Sequence, residues 1–274
     1  RNCWRKFIGE RVMQDKKFKI VQSKKTRYVL PNILTLAGVC LGISSIKFSI
    51  DLNFKLAVIF VILAAILDAL DGRIARLIKG TSEFGKELDS LTDFVSFGIA
   101  PAFIIYFWEL SNFGKLGWAV TLIYSVCCVL RLARFNLTKY ESGDSWKQNY
   151  FEGVPSPIGA LLILSPLVLE LSEINLLINF TYFVPIFTLT VAILLISKIP
   201  TYSFKKIKIK PTLTIFILLG IGISLITLIF FTFETLIAFS ILYLLSIPIA
   251  CFTYNRNKKL VSLENTEEEH EDIL

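Results

Sequence analysis

Eight apolar runs limit what this chain can become. They fall at roughly 32–50, 54–78, 90–110, 116–135, 157–174, 178–197, 212–232 and 235–253, and each approaches the ~17–25 residues that carry an α-helix across hydrocarbon. Backbone in lipid has no water to bond, so such runs must become helices that satisfy their own amides. The expected fold is all-α, a polytopic transmembrane helix bundle of eight spans; six is the alternative, because several runs are short or closely spaced. Composition agrees. With 54% hydrophobic residues and a mean hydropathy of +0.63, the 274 residues are too apolar for a water-soluble core.

The positive-inside rule tests this span count. With the N-terminus inside, the basic residues of 1–27, 73–86, 131–147, 198–210 and 256–259 share one side, and only Lys47, Lys55 and Lys115 of the 29 fall opposite. An even number of spans with N- and C-termini cytoplasmic is expected, giving an integral, multi-pass membrane protein. The net charge of +7 is then topogenic, and no nucleic acid is expected as a partner. Lys205, Lys206, Lys208 and Lys210 belong to the same topogenic set. Residues 1–27 lack an apolar core of signal-peptide length. They read as a basic tail, either solvated or lying as an interfacial helix on anionic lipid. Met13 is the only methionine, so either an initiator preceded Arg1 or translation starts at Met13. The acidic stretch Glu264 to Asp272 reads as a disordered, solvating tail. No internal repeat points to a transporter with duplicated halves.

Several chemistries drop out. The only histidine, His270, lies in the acidic tail, which removes Ser-His-Asp, Cys-His and HExxH catalysis and leaves carboxylate as the general base. Cys3, Cys40, Cys127, Cys128 and Cys251 are mostly embedded in apolar runs without metal or redox spacing, so they read as packing residues.

The informative stretch is DALDGRIARLIKGTSEFGKELDSLTD, Asp68 to Asp93, at the junction of two apolar runs. Asp68 and Asp71 are three apart, and Gly85, Asp89 and Asp93 are four apart, so on helices each set shares a face. Carboxylates at a membrane edge are expensive, and four together call for a cation, most simply divalent. The alternative is a pair of juxtamembrane helices whose acids pair with Arg73, Arg76 and Lys86. Downstream, RLARFN carries Arg131 and Arg134 three apart, hence on one face. The stretch FEGVPSPIGA, 151–160, has Gly153, Pro155 and Pro157 to stiffen its backbone. The arginines read as positive-inside anchors or as anion ligands, the loop as a turn before a span or as a functional element. Pro31-Asn32-Ile33-Leu34-Thr35 opens the first run, where proline with Asn and Thr is ordinary helix-start chemistry.

The spacing D-x2-D-G-x2-A-R-x8-G-x3-D-x3-D, at Asp68, Asp71, Gly72, Ala75, Arg76, Gly85, Asp89 and Asp93, resembles the full motif of the CDP-alcohol phosphotransferase family. Eight fixed positions at background frequencies of roughly 5–10% make a chance match on the order of one in 10⁹. The resemblance implies transfer of a phosphatidyl-type group from a CDP-lipid to an alcohol, with release of CMP and with Mg²⁺ or Mn²⁺ as cofactor. Carried over residue by residue, it makes Asp68, Asp71, Asp89 and Asp93 metal ligands, with Asp93 also the catalytic base. It places Gly72, Ala75 and Gly85 where a nucleotide approaches the backbone, and Arg76 on the diphosphate. Asn32 and Thr35 resemble the first-helix residues that contact the CDP moiety. RLARFN with FEGVPSP resembles the phosphatidylserine synthase branch. This implies CDP-diacylglycerol and L-serine as substrates, with the serine carboxylate on Arg131 or Arg134. Glycerol 3-phosphate is the alternative acceptor, and a cation transporter is the rival from another class. The resulting organisation is a basic segment (1–27), a catalytic core (28–160), C-terminal transmembrane helices (161–255) and a charged tail (256–274). The site lies at the cytoplasmic face among membrane lipids, and a homodimer is admitted but not required.

Overall fold

The computed structural model describes residues 26–78, 82–138, 150–172, 180–202 and 211–271. Most of the basic N-terminal segment, Met13 included, and the four lysines of 205–210 lie outside the described residues.

Each expected apolar run falls on a helix. α1 (Thr26–Ile50) turns at Leu52, a non-glycine residue with φ of 59°, and runs back as α2 (Phe54–Leu77), whose first turn is capped by Asn53 Oδ1 accepting from Leu56 N at 3.3 Å. The two helices pack along one another. On α2 the buried residues Ala57, Val61, Ala64 and Asp71 recur at three- and four-residue spacing, the stripe by which a helix seats on its neighbours. The stripe changes from apolar to acidic at its C-terminal end.

α3 (Glu83–Asp93) starts at Ser82, whose Oγ accepts from Gly85 N at 3.0 Å, with Glu83 placed favourably in its first turn. It passes through a π-helical turn (Phe94–Ile99) into α4 (Ala100–Trp108). Pro101 explains much of this turn. It has no N–H to give the Phe97 carbonyl, as an α-helix would require, and that carbonyl instead accepts from the buried Tyr124 hydroxyl at 3.0 Å. Tyr124 belongs to α5 (Lys115–Thr138), reached through a 3₁₀ turn (Leu110–Phe113). α1 closes on the α3–α4 rod by means of Gly38 and Gly42. A Cβ on Gly38 would stand 3.3 Å from Thr92 Cγ2, and one on Gly42 would stand 3.1 Å from Ser96 Cα.

α6 (Ser156–Leu171), α7 (Phe180–Ile196), α8 (Pro211–Phe230) and α9 (Thr232–Glu271) complete the helices described. The core is shared by α2, α4, α5, α6, α7 and α9, through residues such as Val58, Ile104, Cys128, Leu162, Val191 and Leu236. The outward faces of α1, α5, α7 and α9 expose Ile33, Ile43, Leu122, Val126, Ile186, Ile193, Leu242 and Phe252, a surface suited to hydrocarbon and not to water. Among the described residues, Val29–Ile50, Glu83–Trp108, Lys115–Leu137 and Thr232–Arg256 are long and apolar enough to cross a membrane, and Ser156–Leu171 and Phe180–Ile196 are shorter apolar helices. The protein is an integral multi-pass membrane protein.

Three features depart from the sequence reading. A short antiparallel pair, β1 (Tyr150–Glu152) with β2 (Pro200–Tyr202), joins the loop before α6 to the chain after α7, with Phe151 opposite Thr201. Three-residue strands carry too little alternation to be read from a sequence. Pro31 lies inside α1, not at its start. The tail expected to be disordered continues α9 as helix through Glu271, since its Lys, Leu and Glu residues are good helix formers.

The contact between α5 and the 3₁₀ turn is the closest in the bundle's described glycine set. A Cβ on Gly117 would lie 1.8 Å from the Leu110 carbonyl oxygen, whereas one on Gly220 would meet nothing within 4 Å. Gly117→Ala is therefore expected to destabilise the protein by about 1–3 kcal/mol, and Gly220→Ala to leave it unchanged or slightly more stable. Thermal unfolding of the two variants in detergent checks this, with equal melting temperatures as the contrary result.

Candidate metal and nucleotide site

The acids of the motif come from two helices. Asp68 and Asp71 lie near the C-terminal end of α2, Asp89 and Asp93 along α3. Single carboxylate oxygens of Asp68, Asp71 and Asp89 all lie within 4.8 Å of one another. Three such groups repel strongly unless a cation sits among them. An all-oxygen donor set of this kind fits a hard ion, Mg²⁺ or Mn²⁺, far better than zinc. Asp93 is not one of the three. Its carboxyl lies beside those of Asp68 and Asp89, within electrostatic reach of Arg131, and its Oδ1 is buried without a hydrogen-bond partner. An oxygen in that condition is ready to accept a proton or a ligand.

Thr35 fixes one of these carboxylates. Its hydroxyl lies 2.7 Å from Asp71 Oδ2 and 3.0 Å from the Pro31 carbonyl, and Thr35 and Asp71 are 5% and 3% exposed. One hydroxyl proton serves whichever acceptor is engaged, so Thr35 orients Asp71 directly from α1. Asn32, one turn earlier, places its Oδ1 3.2 Å from where a Cβ on Gly85 would stand. Gly85 thus leaves room for the start of α1 to meet the start of α3. Gly72 and Ala75 are half-buried, and Arg76 is exposed on the last turn of α2, its Nε donating to the Gly72 carbonyl at 2.9 Å. Arg73 is exposed. The structure therefore gathers Asn32, Thr35, Gly85 and the four aspartates at one place, with Gly72, Ala75 and Arg76 at its edge.

The two arginines of α5 separate. Arg131 is 9% exposed, donates from Nη1 to Ser156 Oγ, and lies over the Phe135 ring at 5.5 Å. Arg134 donates to three backbone carbonyls, Ile196 at 2.7 Å, Ser197 at 3.1 Å and Glu152 at 3.3 Å. It braces the C-terminal end of α7, where carbonyls lack helical partners, against β1. Both were candidates for an acceptor, and Arg131 is the one placed within electrostatic reach of Asp93.

Three supporting residues were underread in the sequence: Ser156 and Asn136 were given no role of their own, and Gly153 only that of stiffening its loop. Ser156 holds Arg131. Gly153 has φ of 79°, and a Cβ there would lie 2.8 Å from the carbonyl oxygens of both Leu195 and Ser197, so the Gly-Pro loop is more than a plain turn. Asn136, the last residue of RLARFN, donates to Ser90 Oγ at 3.0 Å and ties α5 to α3. The loop's Gly and Pro were the available signal for Gly153 and Ser156; nothing local marked Asn136.

Comparison with known proteins adds to this geometry. The profile of the CDP-alcohol phosphatidyltransferase family matches residues 28–196. The chain is 39% identical over 184 residues to a CDP-diacylglycerol–serine O-phosphatidyltransferase of Mycobacterium leprae, covering 67% of this chain and 61% of that protein. It is 38% identical over 199 residues to the enzyme of the same name from Helicobacter pylori, covering 73% and 81%. An archaetidylserine synthase of Methanothermobacter thermautotrophicus is 37% identical over 141 residues, covering 50% and 56%.

The Thr35 contact yields a test. Outer-shell partners that orient a ligating carboxylate are commonly worth 10–100-fold in metal affinity. Thr35→Val is expected to weaken divalent-ion binding by about tenfold or more, and Thr35→Ser to restore most of it, read from the metal dependence of the melting temperature. Equal metal dependence in wild type and Thr35→Val would remove the hydroxyl from the site.

Proposed function

The chain belongs to the CDP-alcohol phosphatidyltransferase family, and from that premise we propose that it transfers the phosphatidyl group of CDP-diacylglycerol to the hydroxyl of L-serine, giving phosphatidylserine and CMP. The observation that carries this reading is the meeting of Asp93, with its unpartnered buried oxygen, and the buried Arg131 beside a three-carboxylate cluster. The names of its relatives support the choice of acceptor.

Asp68, Asp71 and Asp89, with Asp93 alongside, would hold Mg²⁺ or Mn²⁺, which neutralises the pyrophosphate and lowers the cost of the leaving phosphate. Asp93 Oδ1 takes the proton of the serine hydroxyl. The serine oxygen forms a bond to the lipid-side phosphorus, the bond from that phosphorus to the bridging oxygen breaks, and CMP leaves with the electron pair. Asn32, Gly72, Ala75 and Gly85 flank the nucleotide, Thr35 acts there and through Asp71, and Arg76 turns its planar fork to phosphate oxygens. Arg131 receives the serine carboxylate and aims the hydroxyl at Asp93. Arg134 keeps the wall behind it in place.

The lipid has a place as well. An apolar cavity of about 220 Å³ lies between α2, the π turn, α6 and α9, lined by Val58, Val61, Phe97, Leu161, Val168 and Leu236. Val61 is two turns of α2 before Asp68, so an acyl chain seated there leads toward the acids. In this reading the chain crosses the membrane eight times, with both termini and the acids on the cytoplasmic side, where CDP-linked and amino-acid substrates are made. Acids serving an ion path would be expected at mid-span in broken helices; here Asp68 and Asp71 lie toward the C-terminal end of α2 and Asp89 in the early turns of the Glu83–Trp108 rod, with Asp93 one turn further on, beside the small residues Gly72, Ala75 and Gly85.

Purified protein given CDP-diacylglycerol, Mg²⁺ or Mn²⁺ and a panel of serine, glycerol 3-phosphate, glycerol and inositol is expected to release CMP with serine. Release with glycerol 3-phosphate and none with serine would overturn the assignment. Asp93→Asn is expected to lower turnover by about 10²–10⁴-fold while retaining CDP-lipid binding. Asp71→Asn is expected to lose metal-dependent nucleotide binding. Turnover by Asp93→Asn equal to wild type would remove Asp93 from the proton transfer.

A further inference from the structure

A second buried oxygen near Arg131 lacks a hydrogen bond: the hydroxyl of Tyr243. Tyr243 belongs to α9, which packs on α6 and on β2. The Thr201 hydroxyl is its polar neighbour and donates to the Gly153 carbonyl at 2.9 Å, but the Tyr243 Oη has no partner in hydrogen-bonding geometry. Buried hydroxyls are normally paired, and an exception calls for a cause. Packing alone does not supply one, because phenylalanine would fill the same space without a polar atom to desolvate.

The neighbours of Tyr243 supply the cause. Arg131 has five N–H donors, and Ser156 accepts from Nη1. Asp93, also within electrostatic reach of Arg131, has an Oδ1 that is likewise unbonded. The guanidinium from α5 therefore has a phenol from α9 and a carboxylate from α3 within electrostatic reach, and the three have spare bonding capacity of complementary kinds. A small zwitterion with a hydroxyl matches that set. Its carboxylate accepts from Arg131 and from a phenol O–H, and its hydroxyl reaches the unpaired carboxylate oxygen.

We propose that Tyr243 Oη donates a hydrogen bond to the carboxylate of the amino-acid acceptor, so that α9, beyond the 28–196 segment matched by the family profile, forms part of the acceptor site. This rests on the reading that the acceptor is serine. It gives the C-terminal helices a share in substrate choice: the acids of α2 and α3 serve the transfer common to the family, and a residue of α9 discriminates by the acceptor's carboxylate.

Tyr243→Phe removes only the hydroxyl. The expected result is a serine KM raised about tenfold, as for loss of a hydrogen bond to a charged group, with the CDP-diacylglycerol KM and the melting temperature unchanged. The serine-dependent rise in melting temperature, measured with CDP-diacylglycerol and Mg²⁺ present, is expected to shrink in parallel. If wild type consumes serine and Tyr243→Phe has the same serine KM, the inference fails and the proposed function stands. If the variant shifts both substrate KM values together or melts several degrees lower, the hydroxyl is structural and the inference fails likewise. If wild type ignores serine, the functional reading fails first and takes the inference with it.

Discussion

The repulsion among the carboxylates of α2 and α3 is the constraint that the rest of the bundle answers. Single carboxylate oxygens of Asp68, Asp71 and Asp89 lie within 4.8 Å of each other. At an effective dielectric of about 20, two unit charges ~5 Å apart repel by roughly 3 kcal/mol. A helix end free to move would relieve this by swinging away. α2 is not free, because the stripe that carries Asp71 also carries Ala57, Val61 and Ala64 into the packing, and burial of those residues fixes the rotation that points the acids inward. α3 is held by its Ser82 cap, by the close approach of Asn32 at Gly85, and by the Asn136–Ser90 bond. The apolar packing is the source of stability, and the acid cluster draws on it.

The helices and the acid motif were legible in the sequence because each is a local pattern: a run of apolar residues, or fixed spacings on one helical face. The division of labour between Arg131 and Arg134 was not. Three residues apart on one helix, they differ in what other elements bring to them: Ser156 and Asp93 to the first, the ends of α7 and β1 to the second. Helical periodicity places a side chain on a face but does not say what meets that face. Tyr243 was hidden for the same reason, since its relation to Arg131 depends on how α9 returns across β2 after more than one hundred residues.

Ser156 and Gly153 occupy middle ground. Glycine and prolines marked the loop, but only the fold shows why glycine is needed there: a left-handed backbone with two carbonyl oxygens where a Cβ would be. The loop thus links three things at once. Its Ser156 holds Arg131, its Gly153 accepts from Thr201 and leaves space for Arg134, and its strand β1 pairs with β2.

The π-helical turn after Asp93 has a further consequence. Each residue of an α-helix advances the face by about 100°, so one added residue in a wide turn rotates everything beyond it relative to everything before it. Within a few residues this rod turns Asp93 toward the acids, Ser96 toward the Gly38 carbonyl, the Phe97 carbonyl toward Tyr124 and the Phe97 ring toward the apolar cavity. The number of residues between Asp93 and Pro101 is therefore a measured length and not a spacer. A chain one residue shorter there would keep its hydropathy and its caps, and could still enter a membrane as a helix, yet the acids and the apolar half of the rod would belong to different rotational settings. An insertion or deletion in this stretch would change the angle between the two halves of the rod as well as the distance.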